Sequence, residues 1–387
     1  MSVRTGADLR PIPLHAVRGL SLVRGQGCEL FDQDGRRYLD LMTNYGVNIL
    51  GHNHPQVTAA ITEQARKLLN AHQSFETPSR AAFLEALAAL LPPSLNRISF
   101  ANSGAESVEA ALKYARVASG KSGVIATHRA YHGRTLGALS VTSEAKYRDP
   151  YQPLLAGVKH VPFDGLQELE AAIDDTSGAV IIEPIQGEGG VRVPHDGYLE
   201  GVRRLCDAHG LLLIADEVQT GFRTGAPFAF TAAGILPDIL CLSKAIANGL
   251  PLGVTVTTEA VSEKIPKGSH GSTFAGGALT CAAGTATLKI LADPGLHEKV
   301  RSTGDRFRRR LEELARANAA VREVRGRGLM LAIELKKPAT PVVKALQEAG
   351  VLAIPSGPVV RFLPSVLIEV EQVDEGIEAL SRALARA

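Results

Sequence analysis

The chain has 387 residues, 45% of them hydrophobic, with 42 lysines and arginines set against 40 aspartates and glutamates for a net charge of +2. Such a length exceeds one ordinary hydrophobic core and predicts two domains, or one large and one smaller. Charges are interspersed, so nothing calls for a nucleic-acid partner. The densest basic run, Arg306-Phe307-Arg308-Arg309-Arg310, has apolar residues at helical spacing and acids a turn away, as a solvated helix face does. The four cysteines, Cys28, Cys206, Cys241 and Cys281, form no C-x-x-C pair, which predicts a reduced, cytoplasmic protein. No basic, then apolar leader opens the chain and no run approaches about 18 uninterrupted apolar residues, so neither secretion nor membrane insertion is expected.

Residues before about 50 are short, extended and turn-rich, with Gly25-Gln26-Gly27 and Gln33-Asp34-Gly35-Arg36 as turns. From about 98 to 257, apolar runs alternate with segments of helical period, the pattern of an α/β protein with a mainly parallel sheet. The spacing predicts strands at Ile98–Phe100, Val124–Thr127, Val158–Pro162, Ala179–Glu183, Leu211–Ala215, Ile239–Leu242 and Gly253–Thr257, with helices at Ser107–Ala118, Leu166–Ile173 and Leu199–His209. A long helical stretch from about Ala278 to Ala317 then leads into Val321–Glu334, a helix near Val342–Ala349 and an extended Val366–Val370, an α+β segment.

The chemistry-bearing motifs cluster just after the predicted strands, where open α/β sheets bind ligands. Asn102-Ser103-Gly104-Ala105-Glu106 opens a helix, and small residues there leave backbone N–H groups free for a phosphate. Alone, the same residues read equally as an ordinary N-cap on Ser103. Tyr131-His132-Gly133-Arg134-Thr135 offers a ring to stack on a cofactor at Tyr131 and a guanidinium for a carboxylate at Arg134, where a polar turn is the plainer reading. Gly187-Glu188-Gly189 does not complete a dinucleotide fingerprint, because Arg192 stands at the third glycine, and Gly120-Lys121-Ser122 lacks the first glycine of a P-loop. The histidines, including His52 and His54, lack the spacing of a metal site, and no metal is expected.

Lys244, in Leu242-Ser243-Lys244-Ala245, and Asp216, ending the run Leu211–Ala215, form a different pattern. A lysine that attacks a carbonyl must shed its proton, and a carboxylate at a strand end can hold the protonated ring nitrogen of pyridoxal phosphate, so that the ring acts as an electron sink. Isolated, both would be solvated surface groups. Gln219 is close enough in sequence to Asp216 to reach the phenolic oxygen of that cofactor, and Val218 could cover a ring face.

Together these stretches resemble the class III aminotransferases of fold type I, and within them the acetylornithine aminotransferase group; the match runs from Leu50-Gly51-His52 to Arg361-Phe362-Leu363-Pro364-Ser365. The resemblance implies a seven-stranded, mainly parallel sheet in a cofactor-holding large domain at 51–280, a smaller α+β domain at 281–387, and an N-terminal segment, 1–50, packed on the latter. It implies a homodimer with active sites at the subunit interface. Lys244 would carry the cofactor and shuttle the proton, Asp216 would pair with the ring nitrogen, and Gln219 with the phenolic oxygen. Gly104 and Ala105 would hold the phosphate, with Thr273 reaching it from the partner subunit, and Tyr131 would take a stacking place more often filled by Phe. Arg134 would bind the α-carboxylate of an N-acylated diamino acid and Arg361 would bind 2-oxoglutarate, with Glu188 as the switch that neutralises Arg361 while the amino donor occupies the site. Three departures stand out: Ala275-Gly276-Gly277-Ala278 replaces a common Gly-Gly-Asn-Pro, Gly221-Phe222-Arg223-Thr224-Gly225 is one residue short, and Ala105 lacks a hydroxyl.

The activity implied is pyridoxal-phosphate-dependent transfer of a terminal amino group between N-acylated ornithine or lysine and 2-oxoglutarate, in arginine or lysine biosynthesis. Tyr45-Gly46-Val47, Leu139-Ser140-Val141-Thr142 and Lys146-Tyr147-Arg148-Asp149-Pro150 look like the lysine branch, which aminates a semialdehyde carried on a small acidic protein. A glutamate-semialdehyde-type aminomutase of the same fold is the alternative of a different class.

Overall fold

The computed structural model describes residues 11–386; residues 1–10 of the expected N-terminal segment, and Ala387, lie outside the described residues. Three strands open the described chain, β1 (Leu22–Gln26), β2 (Glu29–Asp32) and β3 (Arg37–Asp40), as an antiparallel meander. Helices Pro55–Ala65 and Pro78–Ala88 follow, each with a proline in its first turn, where its missing N–H costs nothing.

The central sheet comprises β4 (Leu95–Ala101), β5 (Gly123–Thr127), β6 (Val158–Val161), β7 (Ser177–Ile182), β8 (Leu212–Asp216), β9 (Ile239–Leu242) and β10 (Gly253–Thr258). All seven predicted strands are there, within two or three residues at either end, in the order β4-β10-β9-β8-β7-β5-β6. Only β10 runs antiparallel to its neighbours, β4 and β9. Every residue of β5, β7 and β9 is buried, because helices cover both faces, and this is why these strands read as unbroken apolar runs. Successive side chains serve opposite layers: Val124 and Ala126 pack under helix Gly104–Ser119 with Val108, Ala111 and Ala115, while Ile125 joins the larger core with Val180, Leu213 and Leu240. Truncating a fully buried leucine such as Leu213 to alanine costs about 2–5 kcal/mol in such a layer.

Beyond residue 278 the expected single helical stretch is two helices, Ala278–Leu291 and Pro294–Ala317. Pro294 lacks an N–H and forces Asp293 into an extended conformation, from which the Asp293 carboxylate caps Gly295 N at 2.8 Å. The run Val321–Glu334 folds as a hairpin, β11 (Val321–Arg327) and β12 (Met330–Leu335), turning at Gly328 with φ +56°. Then come helix Thr340–Glu348, β13 (Val351–Leu352), β14 (Ile354–Ser356) and β15 (Val359–Phe362). Strands β11, β12, β15 and β14 form an antiparallel sheet in that order, and β13 joins β3 in parallel, Val351 opposite Leu39.

The extended segment expected at Val366–Val370 is not a strand; Val370 instead begins helix Val370–Arg386. Its buried residues, Val373, Ile377, Leu380 and Leu384, recur at three and four positions, a helical period that outweighs the β-branched residues before it. All four cysteines are free and buried, and among the described residues no helix is long and apolar enough to cross a membrane.

Candidate active site

A cavity of about 440 Å³ opens at the edge of the central sheet where β5, β7, β8 and β9 end. Most of its lining residues stand at strand exits. The exit of β9 carries Lys244, which is held at φ +43° at the start of a short 3₁₀ turn. A left-handed lysine costs of order 1 kcal/mol and persists only where surrounding structure fixes it. Removal from water lowers the pKa of Lys244, against the opposing influence of Glu188 and Asp216, so more of the amine is neutral than in a surface lysine.

Asp216 ends β8 and is 4% exposed. One of its oxygens accepts from Val218 N at 3.0 Å; the other lies 2.7 Å from Nδ1 of His132. His132 is itself buried, and its Nε2 has no hydrogen-bond partner among the described residues. Glu183, just past β7, accepts from Tyr131 N at 3.0 Å and Gly187 N at 2.9 Å, tying the Tyr131 loop to the Glu188 loop. Burial, joined by the nearby Asp216 charge, pushes the Glu183 carboxyl up to about 7.

The exit of β4 leads into helix Gly104–Ser119, whose first turn faces the cavity. Ser103 accepts from Glu106 N at 3.2 Å while the Glu106 carboxylate accepts from Asn102 N at 2.6 Å, a reciprocal cap. This cap leaves the first backbone N–H groups of the helix as an anion cup. A Cβ at Gly104 would stand 2.7 Å from Cγ1 of Val218, so glycine is what lets the helix start and Val218 pack this closely.

On the remaining side, Arg361 of β15 is fully buried and donates to Glu188 at 2.8 Å. Gln219 lies between them, 3.4 Å from Glu188 and 3.5 Å from Arg361. Burial pushes the Glu188 carboxyl up, but the charges of Arg361 and Lys244 outweigh it and hold it below the usual glutamate range. Arg134 lies at the exposed rim, its guanidinium 3.6 Å from the centroid of the Tyr147 ring, with Nε 3.2 Å from the Tyr131 hydroxyl.

Ser103, Gly104, Ala105, Tyr131, Arg134, Glu188, Asp216, Val218, Gln219 and Lys244 therefore line one cavity, with Arg361 directly behind Glu188. Thr273 does not line it: it is exposed in this chain, its carbonyl 3.5 Å from the Asn70 amide. The motif reading marks Glu183 only as a carboxylate at a strand exit, and assigns no role to it, to His132 or to Asn102. His132 sits inside a motif that had been singled out, but its bond to a residue far along the chain has no local signal. Among the described residues no group of His, Cys, Asp or Glu could hold a metal ion.

An anion cup, a buried carboxylate, an aromatic wall and a desolvated lysine around one cavity are the donor set that pyridoxal 5′-phosphate requires, and the space fits it. A sequence profile for "Aminotransferase class-III" matches residues 15–384. The [LysW]-aminoadipate semialdehyde transaminase of Deinococcus radiodurans is 43% identical over 94% of this chain and 85% of its own length. The acetylornithine aminotransferase of Methanopyrus kandleri is 42% identical over 94% of each chain. The amine transaminase from an uncultivated Pseudomonas species, solved with its cofactor bound, superimposes with a TM-score of 0.91 at 31% identity, covering 99% of this chain and 100% of that one. The architecture is thus that of the fold type I transaminases, and the chain belongs to the class III aminotransferases, enzymes that work with pyridoxal 5′-phosphate.

Proposed function

We propose that this enzyme transfers the terminal amino group between an N-acylated ornithine or lysine and 2-oxoglutarate, in arginine or lysine biosynthesis. The observation that carries the reading is the 2.8 Å ion pair between Glu188 and the buried Arg361 beside Lys244. An enzyme with two different carboxylate substrates has to present a guanidinium to one and conceal it from the other. Glu188 can do this by bonding Arg361 or releasing it, while Arg134 at the rim serves the α-carboxylate of the longer substrate.

Lys244 would carry the cofactor covalently and, once displaced by substrate, move a proton from the amine-bearing carbon. Asp216 would keep the ring nitrogen protonated, with His132 holding that carboxylate in place, and Gln219 would bond the phenolic oxygen. Ser103, Gly104 and Ala105 would bind the phosphate, and Tyr131 and Val218 would flank the ring. The bound cofactor supplies the electron sink that makes the proton removable. Thr273 would reach the phosphate of a second subunit, which makes the working unit a homodimer. In the same reading 51–280 is the cofactor domain, 281–387 the small domain, and 1–50 a segment packed on it, in a cytoplasmic enzyme.

The name of the Deinococcus radiodurans relative favours a second substrate reading, an aminoadipate semialdehyde presented on a small acidic carrier protein. An intramolecular aminomutase needs no second carboxylate substrate, and the Glu188–Arg361 pair speaks against it. The deciding experiment mixes cofactor-loaded enzyme with N-acetylornithine and, separately, N-acetyllysine, and follows loss of the lysine-linked cofactor absorbance. Bleaching by acetylornithine alone assigns arginine synthesis, and equal or faster bleaching by acetyllysine the lysine branch. No bleaching by either, with cofactor retained, overturns the reading.

A further inference from the structure

Arg134 is exposed at the rim of the catalytic cavity, and among the described residues no carboxylate stands within ion-pair distance of it. Its backbone is set by its neighbours. Gly133, at φ +138°, lies so close to the first turn of helix Gly104–Ser119 that a Cβ on it would stand 2.7 Å from Cβ of Ala105, and His132 N donates to the Thr142 hydroxyl at 2.9 Å. The side chain is another matter. A long exposed arginine samples many rotamers, and the freedom it gives up on meeting a substrate weakens binding.

Two aromatic residues narrow that freedom. The guanidinium carbon of Arg134 stands 3.6 Å from the ring centroid of Tyr147 and 5.5 Å from that of Tyr131, and Nε lies 3.2 Å from the Tyr131 hydroxyl. The two rings meet edge to face, with centroids 6.0 Å apart and planes at 80°. Tyr131 lines the catalytic cavity, whereas Tyr147 does not. Tyr147 comes from a separate segment, the one-turn helix Ala145–Arg148, where its N–H donates to Glu144 O at 3.0 Å. That segment is tied back on both sides, by Ser143 N to Ala130 O at 2.9 Å and by Leu155 N to the Ser140 hydroxyl at 2.9 Å. Contact over a ring face engages the guanidinium through its charge. Only Nε makes a hydrogen bond, so Nη1 and Nη2 are left to meet a carboxylate.

We propose that Tyr147 is a positioning residue for the longer substrate: its ring holds the Arg134 guanidinium at the rim, so that part of the arginine's freedom is already lost before the α-carboxylate arrives. The inference rests on the reading that Arg134 binds that carboxylate. It gives Tyr147 no part in the exchange with glutamate and 2-oxoglutarate, which the Glu188–Arg361 pair serves. Lys146 Nζ stands 4.7 Å from the same ring and supplies a control, a nearby positive charge that holds nothing in place.

The test follows both half-reactions of the holoenzyme by stopped flow, at physiological ionic strength so that distant charges are screened. Each gives a half-saturating concentration and a limiting rate. Tyr147→Leu should raise the half-saturating concentration of N-acetylornithine or N-acetyllysine, whichever the enzyme takes, about three- to tenfold. Its limiting rates and its glutamate half-reaction should stay within twofold of wild type. Tyr147→Phe, which keeps the ring, should match wild type, and so should Lys146→Ala. In an Arg134→Ala background Tyr147→Leu should change nothing further, because the group it holds is gone. Tyr147→Met replaces the leucine variant if that one fails to hold cofactor. An unchanged N-acylated donor half-reaction, damage to both halves, equal damage in Tyr147→Phe or Lys146→Ala, or a full further effect without Arg134 overturns the positioning role. Arg134→Ala alone separates the two levels: if it spares the N-acylated donor, the reading of Arg134 falls and this inference with it. If it weakens that donor while Tyr147→Leu does not, only the positioning role falls.

Discussion

Nδ1 of His132 lies 2.7 Å from Oδ2 of Asp216, and both side chains are buried in the wall of the catalytic cavity. The second Asp216 oxygen is held by a backbone N–H, so the carboxylate has one orientation. A cofactor ring nitrogen bonded to that carboxylate would feel any change at His132. His132→Leu should keep the lysine-linked cofactor but lower turnover about 10–100-fold, the equivalent of a lost hydrogen bond to a charged group. Turnover within twofold of wild type, measured at saturating substrates, would remove His132 from the positioning network.

Arg361→Ala leaves Glu188 without its 2.8 Å partner and removes the guanidinium proposed for 2-oxoglutarate. The half-reaction with glutamate should slow by about 10–100-fold, while that with the N-acylated donor changes far less. Stopped-flow traces of the two halves make the comparison, and equal damage to both would sink the division of labour between Arg134 and Arg361.

Gly104→Ala puts a methyl group 2.7 Å from Cγ1 of Val218 at the mouth of the phosphate cup. The helix should still form, since alanine favours it. Cofactor should be held more weakly, by about tenfold if the shift costs about 1.4 kcal/mol. Equilibrium dialysis against pyridoxal phosphate measures this, and undiminished affinity would place the phosphate elsewhere.

Glu217 is 1% exposed, accepts from Phe230 N at 2.8 Å and from the Thr220 hydroxyl, and is pushed up to about 7 chiefly by burial. The unfolded chain releases this proton near 4.5, the folded chain near 7, so between those values the native state binds more protons. Stability from this group is therefore full below about pH 4.5 and is lost as pH rises towards 7, at up to about 1.4 kcal/mol per pH unit. Glu217→Gln should flatten that slope and be relatively more stable at pH 7–8 than at pH 5. Urea denaturation across this range decides it, and parallel pH profiles for the two proteins would exclude the linkage.

The seven strands of the central sheet were legible because burial on both faces leaves them as apolar runs, and the helix at Gly104 because Ser103 and Glu106 write its cap into four residues. The helix Val370–Arg386 escapes the first reading although its apolar residues recur at helical spacing, because the β-branched Val366 and Ile368 just before it read as extended. Lys244, Asp216, Arg134 and Glu188 could be picked out one by one, since each follows a strand and carries chemistry in its type.

Sequence by itself determined the sheet, the strand exits and the residue types set at them, because periodicity and capping are local properties of the chain. Tertiary structure alone decided what those residues touch: His132 against Asp216, Glu183 bridging the backbones of Tyr131 and Gly187, and Arg361 buried behind Glu188. Such contacts join positions far apart along the chain, and crossover connections between parallel strands, which no local pattern encodes, bring them together.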